Sequence, residues 1–441
     1  MLIRFTVENF LSFNQRIDFN MIASDEANLN HHVINGKSEN DIALLRTSII
    51  YGANASGKSN IIKAMAFAKH FIVNGVPKNE NIEVHHFKLD KRQKPSRFEF
   101  EFRYNSKQYA YGFVIDKKQV NEEWLFEIGH QSEVSIFERS QNGIRFNFAY
   151  DILNLSKQRQ QELLYEANHT RKNLLFITNC KEREIEQFEI IYKWFNDVLN
   201  IILPTSKPVN IAIQSHTDFK MFFSHILKSF DLGIKKIYFE AINFENTTEI
   251  PETIKEKVRK NFPYGENKAY FVPTSEFVVI EEDSVGQLKA SKLITIRNDE
   301  DNDSVAFEIP EESDGTQRLI DFIPMLIGLS QGKVFVVDEI ESSLHALLIK
   351  KLFDFMLNSQ IFINIESQLI ATTHEIFLLD VKKLFRKDEI WFIKKRHNRE
   401  SRLYSLAYAD VDNLDLMKGY INGRFGAIPF ISNIKELGWE T

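Results

Sequence analysis

The sequence predicts an α/β protein with a mixed sheet and an additional antiparallel β layer, and three observations support this fold class. Residues 47–51 are apolar and mostly β-branched, a glycine-bounded loop follows them, and helical periodicity continues over 61–68, with the helix expected to end near 74–77, where a glycine stands at position 75. Residues 96–128 alternate between apolar and polar side chains, which is typical of antiparallel strands with one buried face, and a hairpin turn is predicted at Asn105 and Ser106. Residues 333–337 form a second apolar strand, which ends next to two acidic residues.

The chain is long enough for more than one compact core, since 441 residues exceed what a single core usually holds. We expect an N-terminal half at 1–150, with the loop and the β layer, and a C-terminal half at 291–441. Between them, 151–290 is predicted to be an inserted, mainly helical lobe with flanking strands, because helical periodicity replaces alternation at its start. Within the lobe, 197–202 and 218–230 also have helical patterns.

The charge, the cysteine count and the apolar runs of the chain limit which classes of partner are expected. The formal net charge is −6, from 55 basic and 61 acidic residues, so the overall charge attracts neither nucleic acid nor an anionic membrane. Cys180 is the single cysteine, which excludes a disulfide framework or a thiolate metal site within the chain. The first ten residues do not resemble a signal peptide, and no apolar run has the length of a membrane span. We therefore expect a soluble, cytoplasmic protein without a membrane partner.

The loop at 52–59 fits G-x-x-x-x-G-K-[ST], the phosphate-binding loop. Its glycines allow backbone N–H groups to surround a phosphate chain, and the following helix N-terminus adds partial positive charge. Lys58 is predicted to reach the β- and γ-phosphates and Ser59 to ligate Mg²⁺, so ATP and Mg²⁺ are the expected cofactors. The predicted nucleotide contacts in this loop are Gly52, Asn54, Ala55, Ser56, Gly57, Lys58, Ser59 and Asn60.

Asp338 and Glu339 follow the apolar strand 333–337 and match the Walker B pattern. Asp338 is predicted to hold Mg²⁺, and Glu339 to orient or deprotonate the attacking water. Apolar strands that end in two acidic residues are common in proteins, so a structural interpretation of this pair stays open.

Two further elements are candidates for contact with phosphate. Ser313, Asp314 and Gly315 begin a helical pattern, where a hydroxyl and free N–H groups offer hydrogen bonds to an anion; a simple N-cap turn explains the same residues. His374 ends the apolar strand 368–374 and is predicted to sense or polarise the γ-phosphate, as a catalytic residue beside Glu339 and Lys58. A lone histidine is also often structural.

The order of these motifs resembles that of the ABC/SMC/RecF-type ATPases. The matching residues are 52–59, the signature-like element 313–317, Asp338 with Glu339, the stretch 341–345 that looks like a D-loop, and His374. A long insertion similarly splits the two halves in that group. The resemblance implies an ATPase head that hydrolyses ATP and dimerises head to tail, or forms higher assemblies of such dimers. Each ATP then lies between one subunit's phosphate loop and the other subunit's signature.

A narrower resemblance is to the RloA/AbiL-like AAA ATPases of bacterial phage-defence and restriction loci. It implies a co-encoded effector protein, a nuclease or toxin, which the ATPase scaffolds or regulates. The resemblance covers both ends and the motif core, but hardly 150–290; outside the loop it is carried by 3–13, 313–316, 388–392 and 420–429.

Two departures from the pattern concern how the γ-phosphate is sensed. No glutamine stands near 85–87, where the superfamily's Q-loop is expected. The signature reads Ser-Asp-Gly-Thr-Gln over 313–317 instead of Ser-Gly-Gly-Gln.

The alternatives are a RecF/SMC-like DNA-maintenance ATPase and a transporter's ATPase subunit. A DNA-binding face would use the basic residues of 394–402 in a predicted hairpin turn, although a solvated turn is the favoured interpretation of these residues. The long insertion and the poor signature match disfavour a transporter subunit.

An effector is expected to dock on the lobe or the C-terminal half. Trp194 and Phe195 are candidates for that surface, with lobe core as the other interpretation.

Overall fold

A computed structural model describes a large part of the chain. The described residues are 1–36, 41–92, 94–129, 132–150, 153–204, 212–213, 223–224, 226–227, 230, 232–262, 269–272, 277–282, 285–380, 383–396, 398–408, 416–422 and 425. Most of the predicted helix at 218–230, and 426–429 at the end of the matching tail, lie outside the described residues.

The strands and helices follow one another in mixed order along the chain. The strands are β1 (Leu2–Glu8), β2 (Ile17–Asn20), β3 (Val33–Ile34), β4 (Leu44–Leu45), β5 (Thr47–Gly52), β6 (Ser96–Tyr104), β7 (Lys107–Ile115), β8 (Val120–Ile128), β9 (Glu133–Ser140), β10 (Gly143–Phe146), β11 (Leu199–Ile202), β12 (Ala212–Ile213), β13 (Lys236–Ile242), β14 (Ala269–Val272), β15 (Val278–Glu282), β16 (Leu288–Asn298), β17 (Ser304–Glu308), β18 (Val334–Val337), β19 (Gln368–Thr373), β20 (Ile390–Lys395) and β21 (Ser401–Ser405). The α-helices are α1 (Lys58–Asn74), α2 (Lys157–His169), α3 (Phe176–Glu182), α4 (Glu189–Lys193), α5 (Glu252–Asn261), α6 (Asp314–Ser330), α7 (Ala346–Asn358), α8 (Gln360–Ile363) and α9 (Leu416–Ile421).

Two compact units divide the chain. The first comprises Met1–Ile201, Val336–Glu339 and Gln368–Thr441, and the second comprises Ile202–Phe335 and Ile340–Ser367. Each unit combines helices with sheets, so the predicted α/β class is confirmed. The division into three parts at 150 and 290 stays a prediction. No helix among the described residues is both long enough and apolar enough to cross a membrane.

The antiparallel β layer of the first unit has seven strands in the order β10-β9-β8-β7-β6-β1-β2. Alternation along β6 buries Phe98, Phe100 and Phe102 completely on one face. The β6–β7 hairpin turns at Asn105 and Ser106, whose φ values are 48° and 64°. Positive φ at both central residues is what a type I′ hairpin turn requires. The predicted hairpin turn is therefore confirmed.

Strand β5 lies inside the second sheet of this unit, which has the order β11-β18-β19-β5-β20-β21. It pairs in parallel with β19, where Thr373 lies opposite Tyr51, and with β20, where Ile393 lies opposite Gly52. The carboxyl ends of parallel strands meet at one edge of a sheet. The loop after β5 and the residues that follow β19 therefore share an edge.

Helix α1 has an apolar face that is buried. Its fully buried side chains include Ile61, Ile62, Met65 and Ile72, at the i, i+3, i+4 spacing of one helix face. The helix ends at Asn74, and Gly75 then takes φ 62°, which glycine adopts without strain. The predicted helix end near this glycine is confirmed.

Trp194 and Phe195 are fully buried, so their interpretation as a docking surface is wrong. The Trp194 ring stacks on Phe102 with 4.1 Å between centroids, and Phe195 meets Phe100 edge-on at 5.1 Å. Both aromatic side chains thus cover the phenylalanine-rich face of the β layer. That face lies far away in sequence, which is why the pair looks exposed when only its polar neighbours are considered.

The prediction of a helix at 197–202 is also wrong, because Leu199–Ile202 forms strand β11. Periodicity over so short an apolar segment cannot separate a strand from a buried helix. Whether such a segment forms a strand depends on a neighbouring strand for backbone hydrogen bonding. For β11 this neighbour is β18, and β11 lies at the edge of the sheet.

Glu123 joins the β layer to helix α3. Its fully buried carboxylate accepts hydrogen bonds from the backbone N–H groups of Phe176 at 2.7 Å and Ile177 at 3.2 Å. The Tyr111 hydroxyl donates to it at 2.8 Å, and the Arg139 guanidinium at 3.2 Å. A negative charge at a helix N-terminus is favourable, so this side chain fixes α3 on the sheet.

The second unit has its own sheet, in the order β12-β14-β15-β16-β13 with β17 paired to β16. A core cluster that includes Phe244, Ile250, Val278 and Ile280 packs under it. Over 151–290 the described residues form α2–α5 and β11–β15, and β16 begins at Leu288.

Truncation of Trp194 is expected to destabilise the first unit. Trp194→Ala leaves a cavity against Phe102 and should cost about 3–5 kcal/mol. Tyr165→Ala is the matched control, because this α2 side chain is 61% exposed and its loss should stay within about 0.5 kcal/mol. Urea unfolding of both variants measures the difference. Equal stabilities would contradict the assignment of Trp194 to the core.

Candidate functional site

The loop between β5 and α1 has the backbone of a phosphate cradle. Gly52 ends β5, Ala55 has φ 60°, Gly57 has φ 115°, and α1 begins at Lys58. Left-handed residues in a turn direct neighbouring N–H groups into one concavity, which attracts anions. This concavity opens onto the N-terminus of a helix of 17 residues, whose dipole adds to the attraction.

Both glycines stand where no side chain fits. A Cβ on Gly52 would lie 2.5 Å from Ser56 Oγ and 2.6 Å from Ile393 O. A Cβ on Gly57 would lie 2.8 Å from Ser12 Oγ, and its positive φ strains any other residue. The motif therefore requires glycine at these two positions because neighbouring atoms pack directly against the backbone at each of them.

The Lys58 ammonium group is directed back into the loop. Its Nζ donates to Gly52 O at 2.5 Å and to Ala53 O at 3.2 Å. The Ser56 hydroxyl is buried and has no hydrogen-bond partner in the described part of the chain. An unpaired buried hydroxyl is costly unless a ligand supplies a partner. Phosphate oxygens entering the loop would satisfy both groups.

The other predicted contacts lie at the tip of the loop and at the start of the helix. Asn54 and Ala55 are exposed, whereas Ser59 and Asn60 are half-buried in the first turn of α1. No acidic residue stands in this first turn, so no carboxylate there opposes the binding of phosphate.

Asp338 and Glu339 follow β18 and are connected by a single threonine hydroxyl. Thr372 Oγ1 donates to Asp338 Oδ1 at 2.6 Å, and it accepts a hydrogen bond from the backbone N–H of Glu339 at 2.8 Å. Glu339 has φ 51°, which is uncommon for a residue other than glycine. The threonine thus orients the buried Asp338 carboxylate and holds the left-handed turn at Glu339.

Thr372 also brings the acidic pair to the edge where the phosphate loop starts. The next residue in β19, Thr373, pairs with Tyr51, which precedes the last residue of β5. His374 follows directly and is exposed at this edge. The loop, Asp338 and His374 therefore belong to neighbouring strand ends of one sheet.

The signature-like element begins helix α6 in the second unit. Ser313 is the N-cap: its Oγ accepts a hydrogen bond from Thr316 N at 3.2 Å and lies 2.9 Å from Thr316 Oγ1. The N-cap interpretation therefore describes the local bonding correctly. Asp314 is exposed and Gly315 half-buried, and a Cβ on Gly315 would lie 3.2 Å from Ser343 O. The start of α6 is thus adjacent to the D-loop-like segment.

The basic turn at 394–402 joins β20 to β21, so the predicted hairpin is confirmed. Arg396 pairs with Glu400 at 2.9 Å, and Lys394 Nζ lies 5.2 Å from the centre of the Tyr404 ring. These contacts give part of the basic run a structural role within the hairpin.

The sequence alone did not indicate the roles of three hydroxyl residues at this site, Thr372, Ser12 and Ser401. Thr372 stands in a strand that the sequence indicates, and its place just before the strand end was the only signal available. Ser12 and Ser401 contact each other and the loop from the two ends of the chain. No spacing rule connects either serine with Ser56.

The donor set fits ATP with Mg²⁺. Within the described ranges, no group of three or more His, Cys, Asp or Glu side chains could hold a metal ion by itself. Mg²⁺ usually takes one or two protein oxygens, substrate phosphates and water. Ser59 Oγ and the Asp338 carboxylate would be those protein ligands.

The phosphate cradle between a buried strand and a helix places this chain in the class of P-loop nucleotide-binding proteins. Residues 48–380 match the family described as "AAA domain, putative AbiEii toxin, Type IV TA system". The match covers more than half of the 441 residues, and the chain belongs to this family. The expected membership of the AAA-type ATPases is confirmed. No curated protein matches the chain.

Solved structures of SMC heads match over most of their length at 13% sequence identity. For the SMC head bound to the C-winged helix domain of ScpA, 92% of this chain and 97% of that chain are covered, with a TM-score of 0.39. For the SMC head domain from Thermotoga maritima the values are 93%, 99% and 0.35. For the SMC head with an extended coiled coil bound to the C-terminal domain of ScpA from Pyrococcus furiosus they are 96%, 98% and 0.40.

Thr372→Val is expected to slow ATP hydrolysis by about tenfold or more while ATP still binds. The change keeps the shape of the side chain but removes a hydrogen bond to a carboxylate, a bond worth about 1.5–3 kcal/mol. Single-turnover hydrolysis and ATP titration measure the two effects. Thr373→Val is the control, because that hydroxyl accepts only from Glu375 N at 3.0 Å among the described contacts. A wild-type rate in Thr372→Val would contradict this role.

Proposed function

We propose that this chain binds ATP with Mg²⁺ in the loop between β5 and α1 and hydrolyses it to ADP and phosphate. The observation that carries the proposal is the hydrogen-bonded arrangement of Asp338, Thr372 and Glu339 beside the strand that enters the phosphate cradle. An acidic pair held at the edge where the cradle opens is what phosphoryl transfer to water requires. Membership of an AAA family supports the same activity.

Each side chain of the site has a distinct role in this proposal. Lys58 exchanges the carbonyl oxygens in its present hydrogen bonds for β- and γ-phosphate oxygens. Glu339 accepts a proton from the attacking water or orients it. His374 contacts the γ-phosphate. Asp338 and Ser59 would hold Mg²⁺, which would supply positive charge against the phosphates.

Glu339→Gln is expected to bind ATP normally but to hydrolyse it about a hundredfold more slowly, because the amide keeps the shape and cannot accept the proton. Lys58→Ala is expected to weaken ATP binding itself, because it removes the cation from the cradle. Calorimetric titration and single-turnover hydrolysis separate the two defects. Wild-type hydrolysis in Glu339→Gln would exclude Glu339 as the catalytic residue.

We further propose that ATP is sandwiched between two copies of the chain. The resemblance to ABC-type heads and the exposed start of α6 support this arrangement. In such a dimer Ser313, Asp314 and Gly315 of one copy complete the site of the other. The helix N-terminus would then contact the γ-phosphate of its neighbour's ATP.

Complementation tests the sandwich. Lys58→Ala chains lack a cradle and Gly315→Asp chains lack a usable signature, so each should be inactive alone. A head-to-tail heterodimer has one intact composite site, and an equal mixture should regain about a quarter of wild-type activity. Gly315→Ala is the control for the added Cβ, since it brings no charge. Activity that is independent of protein concentration, with a monomer in light scattering throughout, would exclude the sandwich.

We also propose that the ATP state of this protein regulates a separate effector in antiphage defence. The resemblance to ATPases of phage-defence loci supports this role, and the family description, which names a putative AbiEii toxin and a type IV TA system, supports a toxin–antitoxin setting. Among the described residues, no group of three or more His, Cys, Asp or Glu side chains could hold a metal ion. On the resemblance to defence-locus ATPases, we assign the toxic or nuclease activity to a co-encoded partner.

Co-expression with the neighbouring gene products tests this assignment. The partner is expected to co-purify, and Glu339→Gln and Lys58→Ala should change its activity in opposite directions, because they trap different nucleotide states. A deletion of residues 155–230 would not test docking of the partner on the lobe, since it also removes Trp194 and Phe195 from the core of the first unit. Growth arrest caused by this chain alone would show that the chain itself is the toxin.

A further inference from the structure

Two serines that are distant in sequence support the phosphate cradle from behind. Ser401 Oγ lies 2.5 Å from Ser56 O and 2.8 Å from Ser12 Oγ. Ser12 Oγ also accepts a hydrogen bond from Asn60 Nδ2 at 2.8 Å. The backbone N–H of Ser401 donates to Ser12 O at 2.8 Å. A continuous set of hydrogen bonds thus connects both sides of Gly57 with the two ends of the chain.

The contact between Ser401 and the Ser56 carbonyl determines where the next N–H group points. In a planar trans peptide, the C=O of one residue and the N–H of the next point in opposite directions. Because the Ser56 oxygen faces Ser401, the Gly57 N–H faces away from Ser401. That N–H is one of the backbone donors that a phosphate loop offers to its ligand.

The surroundings of Gly57 leave little freedom for this peptide. A Cβ on Gly57 would run into Ser401 Oγ and Ser12 Oγ, so both hydroxyls pack directly against the backbone. Rotation of the peptide would break the Ser401 hydrogen bond and leave a buried carbonyl without a partner, which is unfavourable. The hydroxyl pair therefore stabilises one orientation of the Ser56–Gly57 peptide.

We propose that Ser401, supported by Ser12, is a positioning residue that holds the Gly57 N–H toward the phosphates of a bound nucleoside di- or triphosphate. The inference rests on the proposed nucleotide binding and extends it to residues outside the motif. Ser401 stands at the first position of β21, within the basic segment 394–402. The geometry of the cradle thus depends on the C-terminal hairpin.

Ser401→Ala tests the proposal. ATP and ADP affinities should both fall about three- to tenfold, because one hydrogen bond to a buried carbonyl is lost. The cradle contacts ground state and transition state alike, so KM should rise while kcat stays within about twofold of wild type. Ser12→Ala should shift affinity in the same direction, and the double variant should bind about as well as Ser401→Ala, because both serines act in one network.

Ser405→Ala is the matched control. Ser405 is a buried serine on the same face of β21, and its hydroxyl accepts from Ala407 N at 3.1 Å, away from the loop. It should leave both affinities unchanged. Thermal unfolding of all variants shows whether any loss of binding comes from lost stability.

Three outcomes would overturn the inference: unchanged affinity in Ser401→Ala, equal losses in Ser405→Ala, or a fall in kcat at constant KM. If wild type binds ATP through Lys58 while Ser401→Ala binds equally well, the positioning role fails and the proposed function stands. If wild type does not bind ATP, or Lys58→Ala binds it equally well, both fail.

Discussion

The parallel pairing of β5 with β19 and β20 is the constraint on which the site depends. It sets the end of β5, where the phosphate loop starts, beside the end of β19, where Thr372 holds Asp338 and the turn at Glu339. Parallel strands need long crossovers, and here the crossovers contain most of the chain. Tyr51 and Thr373, which are 322 positions apart in sequence, therefore meet at one sheet edge only because their strands are neighbours.

A phosphate cradle also has a physical conflict to resolve. Its N–H groups must stay available for the ligand, while the carbonyl groups of the same peptides must not be left unpaired in a buried place. Lys58 donates hydrogen bonds to the carbonyl oxygens of Gly52 and Ala53, and the Ser401 hydroxyl donates to that of Ser56. Side chains outside the glycine positions thus complete the backbone geometry that the glycines allow.

The β layer shows how packing overrides local pattern. Its phenylalanine-rich face requires a cover, and Trp194 with Phe195 supply it, although their neighbours in sequence are polar. Glu123 adds an electrostatic contact between the β layer and the helices, because its buried carboxylate accepts hydrogen bonds from backbone N–H groups at the start of α3. The helices of 157–193 are therefore connected with the sheet both by aromatic packing and by a buried charge.

The sequence by itself determined the local elements of this protein: the strand–loop–helix unit around Lys58, the Asn105–Ser106 hairpin, the glycine at the end of α1 and the α/β class. These depend on short-range periodicity and on backbone conformations that few residues adopt. Only the tertiary structure decided the strand at 199–202, the burial of Trp194, and the contacts of Thr372, Ser12 and Ser401. Each of these depends on a partner far along the chain, and local spacing contains no information about which distant strand or hydroxyl the folded backbone brings near.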